Sequence, residues 1–162
     1  MLKVKKTILA VSIILAVLIS FCFKFNINDL DWLVWANKCL SQSYNPSGDS
    51  KLKKWDLSIT SDAFLRLRKT YQKNKQVYYS FNLNKLNEVD YLGNSIKGII
   101  RLKTFADDII VQTYNDRKGD VDSMTTVLNI PVKGMGTERL DSLKEALNYF
   151  KVQSTTAHLP LQ

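Results

Sequence analysis

The residues able to do chemistry are few in this chain, and their spacing rarely suits it. The single histidine, His158, stands near the C-terminus. A Ser-His-Asp or Cys-His site needs a rigidly oriented imidazole, and a chain end is a poor place to hold one. Cys39 and His158 make no zinc ligand set. Cys39 reads instead as a small apolar side chain that packs. Asp107, Asp108, Asp116, Asp120 and Asp122 gather late in the chain. Asp120 and Asp122 alternate after Gly119, in the manner of a calcium loop, but Arg117 and Lys118 stand where oxygen ligands belong. Residues 115–123 therefore read as an acidic turn, and neither a metal nor a cofactor is expected. Paired aspartates also serve glycoside hydrolysis, which keeps an aspartate-dependent hydrolase as an alternative.

A second constellation is basic and aromatic. Residues 51–75 hold Lys51, Lys53, Lys54, Arg66, Arg68, Lys69, Lys73 and Lys75 against Asp56 and Asp62. Residues 105–122 hold the five aspartates against Arg117 and Lys118, so the chain is electrically polarised along its length. Trp55, Tyr71, Tyr78 and Tyr79 interleave with the basic residues. Such a mixture on a sheet suits single-stranded nucleic acid, anionic headgroups or a protein partner, because aromatics and arginines dominate interface energy. The candidate partner-binding residues are Trp55, Arg66, Arg68, Lys69, Tyr71 and Tyr78.

The N-terminus decides among those partners. Lys3, Lys5 and Lys6 precede residues 7–23, a run of 17 without a charge. As a helix it would span about 25 Å at about 1.5 Å per residue, short of a bilayer core of about 30 Å. Lys6 and Lys24 flank it and can snorkel. The basic flank stays in the cytoplasm, so the rest of the chain is expected on the exported side. Three fates are open: a retained signal anchor, a cleaved signal peptide, or acylation at Cys22. Ser20-Phe21-Cys22 is a poor cleavage site, and Phe21 spoils a lipobox, so the anchor is favoured. Export leaves little nucleic acid to meet. It also removes Lys3, Lys5, Lys6 and Lys24 from the formal charge of +8, leaving about +4 on the remainder.

The elements that position these residues follow from periodicity. Residues 28–40 read as a helix, with Leu30, Leu33, Val34 and Leu40 at helical spacing and Asn37 as one polar interruption. Trp32 and Trp35 make its other side apolar. Residues 41–50, with Pro46 and Gly48, read as a loop. From Lys53 to Val132 the period becomes two. Trp55, Leu57 and Ile59 share a face. Leu65 and Leu67 oppose Arg66 and Arg68. Val77, Tyr79, Phe81 and Leu83 oppose Tyr78, Ser80, Asn82 and Asn84. Ile96, Gly98, Ile100 and Leu102 oppose Lys97, Arg101 and Lys103. Ile109 and Val111 oppose Gln112 and Tyr114, and a last run covers residues 125–130. Turns are expected at Lys73-Asn74-Lys75, at Gly93-Asn94 and over residues 115–119. Residues 137–152 predict a helix with Leu140, Leu143, Ala146, Leu147 and Phe150 in one stripe.

The expected fold is α+β: an N-terminal membrane helix, then one domain with an antiparallel meander of five to seven strands packed by a C-terminal helix. The divisions are 1–24 for the anchor or signal peptide, 25–52 for a membrane-proximal helix and linker, 53–152 for the domain and 153–162 for a loose tail. The expected function is non-catalytic: an exported, membrane-anchored domain that docks a protein or envelope partner, as an inhibitor, an immunity-type protein or an assembly accessory. Secretion after cleavage is the alternative location. Carriage of a lipid or small apolar ligand between sheet and helix is a further alternative function.

Overall fold

The computed structural model describes residues 29–157. Helix α1 (Asp29–Ser43) is followed by a single 3-10 turn (Pro46–Gly48) and eight strands. These are β1 (Leu52–Ile59), β2 (Phe64–Tyr71), β3 (Gln76–Asn82), β4 (Leu86–Gly93), β5 (Lys97–Thr104), β6 (Ile109–Tyr114), β7 (Asp122–Thr125) and β8 (Val127–Lys133). Helix α2 (Thr137–Ala157) closes the described chain.

The strands form two antiparallel sheets. One has five strands in the order β1-β2-β3-β6-β7, the other three in the order β4-β5-β8. The α+β class is as expected, but the single meander is not. After β3 the chain passes through a turn (Leu83–Lys85) into the second sheet, returns to the first at β6, and leaves it again at β8. The physical reason lies in β5 and β8. Ile100, Leu102, Leu128 and Ile130 are buried in the same core cluster as Leu57, Leu65, Leu67 and Phe81. Two apolar faces then cover one another, as a sheet with one wet face requires.

The turns obey their chemistry. Lys73 and Asn74, between β2 and β3, are left-handed at φ 65° and 61°. Asn115 opens the β6–β7 turn at φ 57°. Asparagine tolerates this region because its side chain bonds locally.

Helix α2 buries Leu143, Ala146, Leu147 and Phe150, as its stripe predicts. Its stripe joins the core cluster that holds Leu57, Leu65 and Phe81 of the sheet, and the helix also lies against α1 and the Leu83–Lys85 turn. The ring of Trp32 stacks on Tyr149 with centroids 6.3 Å apart. The helix also runs on to Ala157, through residues assigned to a loose tail. Ser-Thr-Thr is a weak helix sequence, but Thr155 and Thr156 hydroxyls donate to the carbonyls of Lys151 (2.8 Å) and Val152 (2.9 Å), and Ser154 is buried. Helix α1 contributes Ala36, Cys39 and Leu40 to the core, and it extends past the expected end into the segment read as a loop. Residues 7–23, the expected membrane helix, lie outside the described residues. Among the described residues no helix is long and apolar enough to cross a membrane.

Candidate functional site

Strand register determines which candidate residues can act together. Along β2, Leu65 and Leu67 are buried while Arg66 and Arg68 are exposed. Arg68 pairs with Asp56 on β1 and Tyr78 on β3, and Tyr78 pairs with Gln112 on β6, which pairs with Asp122 on β7. One row thus crosses all five strands on the outer face: Asp56, Arg68, Tyr78, Gln112, Asp122. The adjacent row runs Ser58, Arg66, Ser80, Ile110, Met124.

Two arginine–aromatic contacts stiffen this face. The Arg68 guanidinium lies 5.5 Å from the Tyr78 ring centroid, and that of Arg66 lies 5.7 Å from Phe64. Exposed contacts of this kind are worth about 0.5–1 kcal/mol. At the far side, Tyr114 donates to Gln112 Oε1 (2.9 Å), and Gln112 Nε2 donates to Asp122 (3.4 Å). Ile110 and Met124 are exposed beside them. Arginine, tyrosine and exposed apolar carbon on one rigid sheet are suited to binding a partner.

The six candidate residues do not share that face. Arg66, Arg68 and Tyr78 lie on it. Trp55, Lys69 and Tyr71 have the opposite parity and point to the other side of the sheet. Trp55 packs on Tyr44 with ring centroids 4.5 Å apart. Lys69 Nζ lies 3.6 Å from Asp49 Oδ2, and the Tyr71 phenol donates to the same oxygen. Phe64, Ile110 and Met124 belong to the outer face and are not among the six. A parity signal marks two of them: Phe64 shares the parity of Arg66, and Ile110 that of Gln112, where the alternation calls for polar residues. Met124 sits on a four-residue strand too short to show a period.

The tyrosines around Asp49 are perturbed together. Burial, then the Asp49 charge and then Tyr79, push the Tyr44 phenol up to about 12. Burial and the hydrogen bond to Asp49 raise Tyr71 further. Burial and Asp49 raise Tyr79 in the same direction.

The aspartates separate. Asp107 and Asp108 precede β6, and Asp116 and Asp120 follow it. Six strand residues at about 3.3 Å each put these turns roughly 20 Å apart. Asp120 Oδ1 accepts from the Asp116 N–H (2.9 Å), and Asp116 Oδ1 accepts from the Lys118 N–H (3.1 Å). The Lys75 ammonium, first among several contacts, holds the Asp116 carboxyl below its usual value. Among the described residues no three His, Cys, Asp or Glu side chains gather as a metal site. Cys39 is buried, its Sγ accepting from Arg139 Nε at 3.3 Å. Clefts open at the surface: one of about 550 Å³ includes Asp49, Lys51, Tyr71 and Lys73, and one of about 410 Å³ includes Trp35, Cys39 and Arg139.

The fold and this face define an α+β protein with a two-sheet antiparallel core. No protein-family model, curated protein or solved structure matches the chain.

Proposed function

We propose that this chain is an exported, membrane-anchored, non-catalytic binding domain, and that the outer face of the five-stranded sheet docks a protein partner of the cell envelope. The observation that carries the reading is the pair of arginine–aromatic contacts, Arg68 on Tyr78 and Arg66 on Phe64, set in register on an exposed face. Arginine and tyrosine are the residue types that most often dominate an interface when desolvated. Here their rotamers are already restrained, so less entropy is lost on docking. The anchor at residues 7–23 supports the envelope location through its basic flank and uncharged run.

The carrier alternative calls for an apolar cavity of about 300 Å³ or more. The clefts of that size open at the surface, one of about 470 Å³ between Ala63, Phe64 and Gln153 among them, and Leu65, Leu67 and Leu143 are fully buried in the core, so among the described residues no enclosed apolar cavity supports the carrier. The hydrolase alternative needs two carboxylates facing one bond, and the turns at the two ends of β6 do not favour that.

The test is affinity purification of the full chain from solubilised envelopes. Arg66→Glu with Arg68→Glu is expected to release the partner, at a cost of about 2 kcal/mol or more, roughly thirtyfold in affinity. Lys118→Glu, in the β6–β7 turn, should leave it bound. If every partner survives the double reversal, the reading fails. Protease cleavage of the domain in intact cells, from outside only, checks the topology.

A further inference from the structure

We propose that the β4–β5 hairpin end of the three-stranded sheet is a second docking surface, and that its partner is an anionic lipid surface. This does not rest on the reading of the five-stranded sheet. The register puts Leu92 opposite Ile99 and Ile99 opposite Pro131, an apolar row across all three strands on the outer face. Leu92 is 45% exposed, Ile99 39%, and Ile96 in the connecting turn 76%.

The turn is built to hold Ile96 outward. Asn94 Oδ1 accepts from the N–H groups of Ile96 (3.0 Å) and Lys97 (3.1 Å), and the Ile96 carbonyl accepts from the Gly134 N–H (3.0 Å). The Tyr91 phenol donates to the Asn94 carbonyl. A large apolar side chain is therefore fixed in water by its own backbone, where collapse onto the sheet would otherwise hide it.

Charge chooses the occupant. Lys97 and Lys133 are paired in register beside the apolar row, and both are exposed. Among the described residues neither meets a carboxylate at salt-bridge distance. Lys103, further along β5, differs: Glu88 and Asp90 neutralise it at 2.7 Å each. A two-fold contact with a second copy would bring like lysine pairs together. Protein interfaces are depleted in lysine and favour arginine and aromatic residues, as on the other sheet. Lysines flanking a protruding apolar tip suit a bilayer, whose phosphates meet the ammonium groups while the aliphatic side chains enter the headgroup boundary.

The tip also lies near the C-terminal end of α1. Tyr44, just past the end of α1, bridges to Val132, and Val132 pairs with Gly98, next to the turn.

The full chain is reconstituted in phosphatidylcholine vesicles and mixed with separate vesicles of phosphatidylcholine doped with phosphatidylglycerol. Hydrogen exchange is followed over residues 92–99. Expected is about tenfold slowing when accessible lipid is in tenfold excess over its Kd, absent with undoped vesicles and lost in Ile96→Ser and in Lys97→Glu with Lys133→Glu. The proposal is overturned by unchanged exchange, by equal slowing with undoped vesicles, or by slowing that survives the variants. Slowing that follows protein concentration without added vesicles identifies a second copy as the occupant and equally overturns it.

Discussion

The Tyr71 phenol donates a 2.7 Å hydrogen bond to Asp49 Oδ2, joining the end of β2 to the loop that precedes β1. Lys69 Nζ reaches the same oxygen at 3.6 Å. Two residues of the basic-aromatic stretch are thereby committed to closing one edge of the domain, and Arg66 and Arg68, on the other parity, are left to face solvent.

That cluster sets an alkaline limit on stability. Tyr44, Tyr71 and Tyr79 all have phenols raised above their usual 10.0. A raised folded-state value contributes stability that is fully present below the unfolded value and is lost as pH rises through the folded one. Urea midpoints should therefore hold steady up to about pH 10 and fall between there and about pH 12. Ultraviolet titration should show a late class of tyrosines, and Asp49→Asn should bring their ionisation earlier. A midpoint that does not change with pH across that window would contradict the account.

Asn37 binds α1 to an edge strand. Its Oδ1 accepts from the Ile59 N–H at 2.7 Å, and its Nδ2 donates to the Ile59 carbonyl at 2.9 Å. Both backbone groups at the end of β1 are satisfied by one side chain. Asn37→Ala should cost about 2–3 kcal/mol in urea unfolding, since two hydrogen bonds go and a part-buried edge is left unpaired. Asn37→Asp should cost a similar amount, because the donor to the carbonyl is lost. A change within about 0.5 kcal/mol would mean that water replaces the amide.

Tyr91 and Gly98 fit as a pair. A Cβ at Gly98 would collide with the Tyr91 ring, which crosses diagonally from its own partner Ile100. Gly98→Ala should destabilise by about 1–3 kcal/mol through overpacking. In a Tyr91→Ala background the same change should be close to neutral, so a double-mutant cycle should show strong coupling. Simple additivity of the two changes would refute the contact.

Legibility in the sequence followed how completely each element displays its period. β2 alternates cleanly from Phe64 to Arg68, and the turn at Lys73 and Asn74 is as read, but β3 is less regular: Ser80, on the face read as polar, is buried beside Phe81. β4 was missed because a bulge between Leu86 and Glu88 breaks its alternation. β7 was missed because Asp122–Thr125 carries one large apolar residue, and that one faces water. The polar interruption at Asn37 was visible, but its reason was not, since Ile59 lies twenty-two residues away. The candidate face was half legible. Residue types mark the basic strands, while only strand parity separates Arg68 from Lys69.

The pairing of β3 with β6 spans the β4–β5 hairpin, and the pairing of β5 with β8 spans β6–β7. The two spans overlap without one enclosing the other, like interlaced fingers. No early part of the chain can finish a sheet alone: the first waits for residue 125, and by then the second still lacks β8. Assembly is therefore delayed until nearly the whole chain is available, and such non-local pairing is intrinsically slow. Under the proposed export that delay is an advantage, because the N-terminal two-thirds holds no finished sheet to block a translocation channel.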